Sequence, residues 1–394
     1  MFPEKAYDWG TTRSCIRELA EYGAARKREI GAENVYDFAL GNPSVEPPAC
    51  LKEALLDLIS NDTPGLHAYT TAAGRYPLRR KIAGELNSRF GTAVTPELIY
   101  VTCGAAGSLT ATLQAILSPG EEILCLAPFF PEYRVFTENA GGVAVIVPPA
   151  PDFQPDFAAL EQALRSPKAK AVIVHSPNNP SGAVYTESTL TKIAELLTAA
   201  SQGREEPVYL ITDEPYRELV YDGKSVPCPM NFYPHCVMCY SWSKSLSIPG
   251  ERIGYIAVSE RLHHAQDFYY KIMGAARGMG HVNPPSLFQQ IMERCIGQTV
   301  DAGIYQRNRD ILCDGLQKLG YEFVHPDGAF YLFLKALEPD AKAFSDRAKA
   351  HELLLVPSDD FGCTGYVRIA YCVPEERIVN SLPAFAALMR EYNP

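Results

Sequence analysis

The sequence predicts an α/β protein with a large domain built on a mostly parallel, seven-stranded sheet and a smaller α+β domain. Short apolar runs recur between helical stretches over much of the chain, as the buried strands of a parallel sheet do. After about residue 285 the pattern changes to long helical stretches with short strand-like pieces. The chain has 394 residues, too many for one simple core, so we expect two domains.

The first predicted element is a helix over residues 11–30. Apolar side chains recur there at roughly helical spacing, Thr11 or Thr12 is the expected N-cap, and Gly31 is the expected stop. We expect residues 1–45 to form an N-terminal arm and part of the small domain.

Seven apolar runs then predict the strands of the large sheet. They are IYVT at 99–102, EILCLAP at 122–128, VAVIVP at 143–148, KAVIVHSP at 170–177, VYLITDE at 208–214, CVMCYS at 236–241 and IGYIAV at 253–258. Helical segments such as 109–117 and 190–197 separate the runs, which predicts helices on both faces of the sheet. We expect this large domain to span residues 46–285. In open sheets of this kind, ligands bind beyond the carboxyl ends of the strands.

The remaining residues, 286–394, are predicted to form the small domain. Residues 286–319 and 341–350 have the pattern of long helices. The strand-like pieces are YEFVH at 321–325, AFYLFL at 329–334, LLLVPS at 353–358 and YVRIAYC at 366–372. Because no obvious linker or repeat interrupts the chain, we expect the two domains to meet at a cleft.

Composition argues against several classes of partner and location. The net charge of −10 disfavours binding to nucleic acid or to an anionic membrane. The N-terminus lacks the apolar stretch of a signal peptide. No window reaches the roughly 18 uncharged apolar residues of a membrane span, so none is expected.

Cysteine usage predicts reduced thiols in a cytoplasmic protein. Eleven cysteines are scattered along the chain. The only CxxC pair, Cys236 and Cys239, lies inside an apolar run with no second pair or nearby histidine to complete a metal site. Two packing thiols are therefore favoured over a redox pair, and no metal is expected.

Polar groups follow several of the predicted strands. VTCGAAGS opens a helix, so the amides of Gly104, Ala105 and Ala106 would form an anion site at its N-terminus. HSPNNPSG places Asn179 after a second strand, and ITDEPYRELVY places Asp213 at the end of a third. Each motif alone is also typical of an ordinary turn or helix cap. Their combination is what points to chemistry.

The stretch SWSKSLSIPGERIGY at 241–255 adds Ser241, Ser243, Lys244 and Arg252 where another strand ends. A phosphorylated pyridine aldehyde needs all of these groups together. Its phosphate needs helix amides, hydroxyls and an arginine, and its ring nitrogen needs a carboxylate. Its aldehyde needs a lysine that can lose its proton. The sequence offers one group for each of these demands.

Nine motifs, in order, resemble those of class I/II aminotransferases, which depend on pyridoxal 5'-phosphate (PLP), have fold type I and belong to the aspartate aminotransferase superfamily. The resemblance runs from about residue 37 to residue 370. The motifs are LGNPSVEPP at 40–48, AYTTAAGRYPLR at 68–79, VTCGAAGS at 101–108, APFFPEY at 127–133, SPNNPSG at 176–182, TDEPY at 212–216, SWSKSLSIPGERIGY at 241–255, DGAFYLF at 327–333 and YVRIA at 366–370.

The resemblance implies a role for each cofactor-binding position. Lys244 would bond covalently to the cofactor aldehyde and later carry a proton, and Asp213 would pair with the ring nitrogen. Asn179 and Tyr216 would donate to the phenolic oxygen. Five residues would hold the phosphate, namely Ala105, Ala106, Ser241, Ser243 and Arg252.

The resemblance also implies contacts to the ring, the partner subunit and the substrate. Phe130 would stack on the cofactor ring, with Tyr133 as a second candidate. Tyr69 would reach the phosphate in the partner of a homodimer. Arg368 would hold the α-carboxylate of the substrate, helped by Asn179 and by the backbone of Gly41. The implied reaction moves an amino group from an L-amino acid to a 2-oxo acid.

The amino donor is left open by the sequence. Arg277 suggests a contact to the side chain of aspartate or glutamate, whereas Tyr36, Phe330 and Tyr331 suggest an aromatic-tolerant pocket. The main alternative reaction is that of a carbon–sulfur β-lyase related to cystathionine β-lyase, which would use the same lysine and aspartate. A non-catalytic regulator module and an acyl-CoA-condensing enzyme are further alternatives, and both fit the sequence less well.

Overall fold

The computed structural model describes residues 4–11, 14–61 and 63–392, which form fourteen α-helices and twelve β-strands. The helices are α1 (Glu4–Thr11), α2 (Cys15–Ile30), α3 (Ala49–Ser60), α4 (Tyr76–Phe90), α5 (Gly104–Ile116), α6 (Glu132–Asn139), α7 (Phe157–Leu164), α8 (Glu187–Ser201), α9 (Trp242–Ser245), α10 (Ala265–Gly278), α11 (Ser286–Cys295), α12 (Ala302–Lys318), α13 (Ala341–Lys349) and α14 (Glu375–Tyr392). The strands are β1 (Tyr36–Asp37), β2 (Ile99–Thr102), β3 (Glu122–Leu126), β4 (Val143–Val147), β5 (Ala169–His175), β6 (Tyr209–Glu214), β7 (Cys236–Ser241), β8 (Gly254–Val258), β9 (Tyr331–Lys335), β10 (Leu353–Leu354), β11 (Val356–Pro357) and β12 (Tyr366–Ala370).

A seven-stranded sheet forms the centre of the molecule, with strand order β2-β8-β7-β6-β5-β3-β4. Every one of the seven predicted apolar runs contributes a strand to it. All neighbouring pairs are parallel except those made by β8, which runs antiparallel to both β2 and β7. The predicted α/β fold with a mostly parallel sheet is confirmed.

The central strands are apolar because the sheet is covered on both faces. Strands β6 and β7 are buried at every position, which explains why their sequences run apolar instead of alternating. Cys236 and Cys239 lie in β7, where both thiols are free and buried in the main core.

The reversed direction of β8 matters for the position of the site. The carboxyl ends of the six parallel strands meet at one edge of the sheet, and an antiparallel strand begins at that same edge. Gly254, the first residue of β8, pairs with Ser241, the last residue of β7. Arg252 therefore enters the edge at which β7 ends, although it precedes its strand.

Two smaller sheets lie outside the central one. Strands β11, β12 and β9 form an antiparallel sheet in that order, and β1 pairs with β10 in parallel. The N-terminal arm is thereby joined to the C-terminal part of the chain. The domain boundaries at residues 45 and 285 stay predictions.

The structure corrects three of the predicted elements. The helix expected over residues 11–30 begins only at Cys15, and its N-cap is Ser14, whose hydroxyl accepts from the Arg17 amide. Thr11 instead ends α1, and Thr12 lies outside the described residues. Gly31 does end α2, with a φ of 92°.

The long helix expected over residues 286–319 is two helices, α11 and α12. Gly297 adopts a φ of 80° between them, and Asp301 caps α12 by accepting from the Gly303 amide. Of the piece predicted as a strand over 321–325, Phe323 makes an isolated bridge to Leu334. The C-terminal helix α14 was not among the predicted elements.

The described residues contain neither a membrane-spanning helix nor a cluster of metal ligands. None of their helices combines the length and the apolar character that crossing a membrane requires. Within the same residues, no group of three or more His, Cys, Asp or Glu side chains is placed to hold a metal ion.

Candidate active site

A cavity of about 290 Å³ lies where the carboxyl ends of β5, β6 and β7 meet the small antiparallel sheet. Twelve of the thirteen predicted site residues line it: Gly41, Ala105, Ala106, Phe130, Asn179, Asp213, Tyr216, Ser241, Ser243, Lys244, Arg252 and Arg368. Positions up to 327 residues apart in the chain thus share one cavity. The exception, Tyr69, is fully exposed on the surface of the protomer.

Lys244 reaches the cavity from the short helix α9, which directly follows β7. The Ser241 hydroxyl starts that helix by accepting from the Ser243 amide at 3.2 Å. The Lys244 ammonium, Nζ, donates to the Gly41 carbonyl at 2.7 Å. Burial lowers the pKa of Lys244 from 10.5 to about 8, because the buried ammonium loses its hydration, and the nearby Arg252 and Arg368 add to this effect. The amine can therefore lose its proton near neutral pH.

Hydroxyls and a guanidinium gather beside that turn. The Ser241 and Ser243 hydroxyls lie 2.7 Å apart. Arg252 has a left-handed backbone with φ 51°, and its Nη1 donates to the Pro249 carbonyl at 2.9 Å. A Cβ on Gly104 would come within 2.9 Å of Arg252 Nη2, so glycine is needed there for the guanidinium to lie against the start of α5. These donors, with the first amides of α5, suit a phosphate.

One oxygen of Asp213 lies against both Tyr133 and His175. The Tyr133 hydroxyl donates to Oδ2 at 2.6 Å, and His175 Nδ1 lies 3.1 Å from the same atom. The other oxygen, Oδ1, is buried and has no hydrogen-bond partner among the described residues. A buried carboxylate oxygen of this kind requires a donor. A protonated ring nitrogen would provide one.

His175 is a site residue that the sequence analysis missed, and Tyr133 makes a contact that it did not expect. His175 ends β5 and pairs in register with Asp213 on β6. Its position at the end of a predicted strand, like that of Asp213, was the feature of the sequence that could have identified it. Tyr133 was expected as a second ring-stacking candidate. Its ring is instead buried, and burial together with the neighbouring Asp213 raises the pKa of its hydroxyl well above 10, so it remains a donor.

The opposite wall is made by residues from the small sheet and the N-terminal arm. Arg368 on β12 donates through Nη1 to Asn179 Oδ1 at 3.1 Å and through Nη2 to the Ala39 carbonyl at 2.6 Å. Its guanidinium lies 4.7 Å from the centroid of the Tyr331 ring. The Tyr331 hydroxyl lies 2.8 Å from the Tyr216 hydroxyl. This wall therefore presents a planar cation, which suits a carboxylate.

Only some of the residues suggested for selecting the amino donor line the cavity. Tyr331 lines the cavity, and Phe130 lines it with its ring edge-on to Tyr133. Phe330 is buried, with its ring centroid 5.6 Å from Lys244 Nζ. Neither Tyr36 nor Arg277 is among the residues that line the cavity, and Arg277 is exposed on α10.

A larger cavity of about 710 Å³ lies elsewhere, and Phe90, Arg217 and Trp242 are among its lining residues. It contains none of the predicted site residues. Size therefore does not identify the active site, whereas the convergence of an amine, a carboxylate and two guanidinium groups does.

The residues of the smaller cavity fit a phosphorylated pyridine aldehyde. The open oxygen of Asp213 suits the ring nitrogen, the lowered pKa of Lys244 suits bonding to an aldehyde, and the Arg252 side of the cavity suits the phosphate. The family model for aminotransferases of class I and II matches residues 33–384.

The chain belongs to the class I and II aminotransferases.

Members of this family depend on PLP, and the chain is a PLP-dependent aminotransferase of fold type I. Among curated proteins it is 31% identical to an aspartate/prephenate aminotransferase of Thermus thermophilus over 379 residues, which cover 93% of this chain and 94% of that relative. It is 27% identical to aromatic-amino-acid aminotransferase 2 of Thermococcus litoralis, over 92% of this chain and 93% of that relative.

Solved structures agree with this assignment. An aminotransferase from Eubacterium rectale superimposes with a TM-score of 0.97 at 45% identity, covering 100% of both chains. The aspartate aminotransferase from Thermus thermophilus with maleate superimposes with a TM-score of 0.87 at 28% identity, covering 98% of this chain and 100% of that one.

Proposed function

We propose that this aminotransferase moves the amino group of an L-amino acid to a 2-oxo acid, with Lys244, Asp213 and Tyr216 as its catalytic residues. One observation carries the proposal. The same cavity holds an amine of lowered pKa, a carboxylate with an open oxygen and a guanidinium on the opposite wall. These are the groups that an amino acid and PLP require when they react together.

PLP, when bound, supplies an aldehyde that bonds to amines and a protonated ring that draws electrons from the substrate. In this chain Asp213 would keep the ring nitrogen protonated, since a nearby anion favours the charged form of a base. Asn179 and Tyr216 would donate to the phenolic oxygen, and Phe130 would cover the ring. The phosphate would be held by Ala105, Ala106, Ser241, Ser243 and Arg252.

Lys244 Nζ is the proposed attachment point and the proposed base. Its pKa of about 8 leaves a useful fraction of the amine neutral near neutral pH. Once free of the attachment, Nζ would take the proton from the donor's Cα and later deliver it. A well-placed base of this kind contributes roughly 10²–10⁴-fold to the rate.

Arg368 would orient the donor by binding its α-carboxylate, helped by Asn179 and the Gly41 backbone. The guanidinium is already directed by its bonds to Asn179 and the Ala39 carbonyl. Fixing the carboxylate fixes the direction of the Cα–H bond toward the base. Orientation of this kind supplies up to about 7–11 kcal/mol of a barrier in the best intramolecular cases.

The proposal is tested with a panel of L-amino acids and with pyruvate or 2-oxoglutarate as acceptor. We expect a new 2-oxo acid from the donor and a new amino acid from the acceptor in equal amounts. Pyruvate and ammonia released from cystathionine without any acceptor would instead establish the β-lyase reaction. The two reactions share the proposed lysine and aspartate, so product analysis is the deciding measurement.

We also propose a homodimer in which Tyr69 completes the partner's phosphate site. The fully exposed Tyr69 ring supports this, because the phenol is free to enter a neighbouring subunit. We expect Tyr69→Phe to speed loss of PLP about tenfold, because one hydrogen bond to a charged group is lost. The rate of loss is measured by dialysis in the presence of a reagent that reacts with the aldehyde of released PLP. Unchanged PLP loss would count against a shared site. Tyr7→Phe, a second exposed tyrosine, is the control.

Two further proposals concern the whole chain. A cytoplasmic location is supported by the eleven cysteines, all of which are free thiols. A large domain over residues 46–285, between an N-terminal arm at 1–45 and a small domain at 286–394, is supported by the placement of the seven-stranded sheet within residues 99–258. Limited proteolysis would test the two boundaries.

A further inference from the structure

We propose that Tyr331 is a positioning residue, whose hydroxyl donates to the Tyr216 hydroxyl and makes it a stronger donor to the phenolic oxygen of PLP. The inference rests on the proposed function, because it concerns how Tyr216 performs the task proposed for it. It is carried by the contacts that the Tyr331 side chain makes in the cavity.

The two phenols meet directly, although they come from different parts of the fold. Tyr216 follows β6 of the central sheet, whereas Tyr331 begins β9 of the small sheet. Their hydroxyl oxygens lie 2.8 Å apart, and their rings meet edge to face with the centroids 5.6 Å apart. Both side chains are buried and line the cavity. One hydrogen bond therefore links the two walls.

The number of protons decides the direction of that hydrogen bond. A phenol has one proton to donate and two lone pairs that accept. If Tyr216 gives its proton to the phenolic oxygen, as proposed, the proton between the two tyrosines must come from Tyr331. Burial raises the pKa of Tyr331 to about 12 and the pKa of Tyr216 well above 10, so both hydroxyls keep their protons near neutral pH.

The neighbouring groups favour Tyr331 as the donor. The guanidinium of Arg368 lies 4.7 Å from the centroid of the Tyr331 ring, and a nearby cation makes a phenol a better proton donor. The thiol of Cys372 is also close to both phenols, but burial raises its pKa to about 12, so it stays neutral. His175 meets the Tyr216 ring edge-on, with the centroids 5.7 Å apart.

The arm leaves room for the Tyr331 hydroxyl at one position. Gly41 lies so close to the Tyr331 oxygen that a Cβ on this residue would overlap it. The Gly41 carbonyl in turn accepts from Lys244 Nζ at 2.7 Å. The Tyr331 oxygen is thus held between Gly41 and Tyr216, so it has little room to move away from Tyr216.

A donor to Tyr216 strengthens the hydrogen bond that Tyr216 itself donates. Hydrogen bonds in a chain polarise one another, which strengthens each by roughly 10–30%. Tyr216 would face the phenolic oxygen, whose negative charge is more exposed after bound PLP loses its proton. Because a hydrogen bond to a charged form favours that form, a stronger donor lowers the pH at which bound PLP titrates. Loss of the Tyr331 hydroxyl should therefore raise that pH.

The first test measures how the absorbance of bound PLP titrates in the wild type and in two variants. We expect Tyr216→Phe to titrate about one pH unit above the wild type, because a hydrogen bond to a charged group is lost. We expect Tyr331→Phe to shift in the same direction by about 0.3 pH unit, because Tyr216 keeps its bond to PLP and loses only its own donor. No shift, or a shift to lower pH, in Tyr331→Phe would overturn the inference.

Tyr321→Phe is the matched control for that titration. Tyr321 is a buried tyrosine whose hydroxyl donates to the Phe385 carbonyl at 2.9 Å, and it is not among the residues that line the cavity. We expect its titration to equal that of the wild type. A shift as large as that of Tyr331→Phe would show that loss of any buried hydroxyl has this effect, which refutes a specific role for Tyr331.

The double variant Tyr216→Phe/Tyr331→Phe decides whether Tyr331 acts through Tyr216. We expect it to titrate within about 0.1 pH unit of Tyr216→Phe alone, because without the Tyr216 hydroxyl nothing remains for Tyr331 to strengthen. A further shift in the double variant would contradict the inference, since Tyr331 would then act on PLP without Tyr216.

Binding of phenylpropionate, an unreactive carboxylate, shows whether Tyr331→Phe disturbs the cavity in general. The new ring still offers its face to Arg368, so we expect the Kd to stay within about twofold of the wild type. A larger loss of binding would assign the titration shift to a structural disturbance and would refute the inference.

These measurements need no amino donor, so a failure of transamination would leave them intact. If Tyr216→Phe itself causes no shift, the role proposed for Tyr216 is wrong and the inference is wrong with it. If Tyr216→Phe shifts the titration and Tyr331→Phe does not, the inference alone is wrong.

Discussion

The two walls of the cavity are built in different ways. Asp213 lies one residue before the end of β6 and Ser241 ends β7, and both strands are buried at every position, so the backbone of this wall is fixed by many neighbours. Arg368 lies on a three-stranded sheet, and its guanidinium is directed by Ala39 and Asn179, which come from two distant segments. The difference indicates a division of labour. We propose that the central sheet holds the cofactor and that the small sheet, together with the arm, recognises the substrate.

The largest effect that this comparison predicts is at Lys244. We expect Lys244→Ala to remove covalent attachment of PLP and to lower kcat by at least about 10³-fold, because it removes both the attachment point and the base. Borohydride reduction followed by mass spectrometry measures the attachment. The surface substitution Lys192→Ala is the control, since the side chain of that lysine is exposed and pairs with the exposed Glu195. A borohydride-stable adduct in Lys244→Ala would place the attachment elsewhere.

A pH profile tests the electrostatics of the same wall. Because burial lowers the pKa of Lys244 to about 8, its neutral, reactive form increases as pH rises and predominates above that value. We expect the rate at which cofactor-free protein captures PLP to rise about tenfold per pH unit below pH 8 and to level off above it. A rate that keeps rising toward pH 10 would show that the amine has an ordinary pKa.

Arg368→Lys tests the other wall. The substitution keeps the charge but loses the planar fork that binds a carboxylate through two parallel bonds. We expect KM for the amino donor to rise about 100-fold, while retention of PLP stays as in the wild type. Arg347→Lys, at an exposed arginine paired with Glu338, is the matched control. Loss of PLP from Arg368→Lys would contradict the division of labour between the walls.

The smallest effect is expected at Tyr133. Tyr133→Phe removes the hydroxyl that donates to Asp213 Oδ2 and leaves His175 Nδ1 at 3.1 Å from that oxygen. A hydrogen bond to a charged group contributes about 1.5–3 kcal/mol, so we expect kcat to fall about tenfold or somewhat more. Tyr133 acts through Asp213, and a carboxylate that loses a donor holds a neighbouring proton more tightly, so the absorbance of bound PLP should also titrate at higher pH. Tyr100→Phe, at a tyrosine that bonds the Val282 carbonyl, should leave that titration unchanged.

Local patterns were sufficient for much of the central sheet. The run at 99–102 and the run at 236–241 match β2 and β7 residue for residue. Strands buried on both faces have continuous apolar sequences, so their period and length are visible without knowledge of the partners. The helix breaks near Ser14 and Gly297 were missed, because an amphipathic pattern continues across a cap that only backbone geometry reveals.

The candidate site could be predicted in its residue types but not in its contacts. Motifs placed Asp213 and Lys244 at strand ends, and the structure brings both to one cavity. His175 was missed because a histidine at the end of an apolar run has no distinctive local signal. Its partner Asp213 becomes apparent only when β5 and β6 pair in register. The side-chain direction of Tyr133 likewise depends on packing.

The sequence by itself determined the strands, the polar groups at their ends and the family resemblance, because these depend on residues close together in the chain. The tertiary structure decided which distant groups meet. The antiparallel direction of β8 brings Arg252 to the edge where β7 ends, and the small sheet brings Arg368 to Asn179, 189 positions away. Such distances depend on the order and direction of strand pairing, which local propensity does not encode.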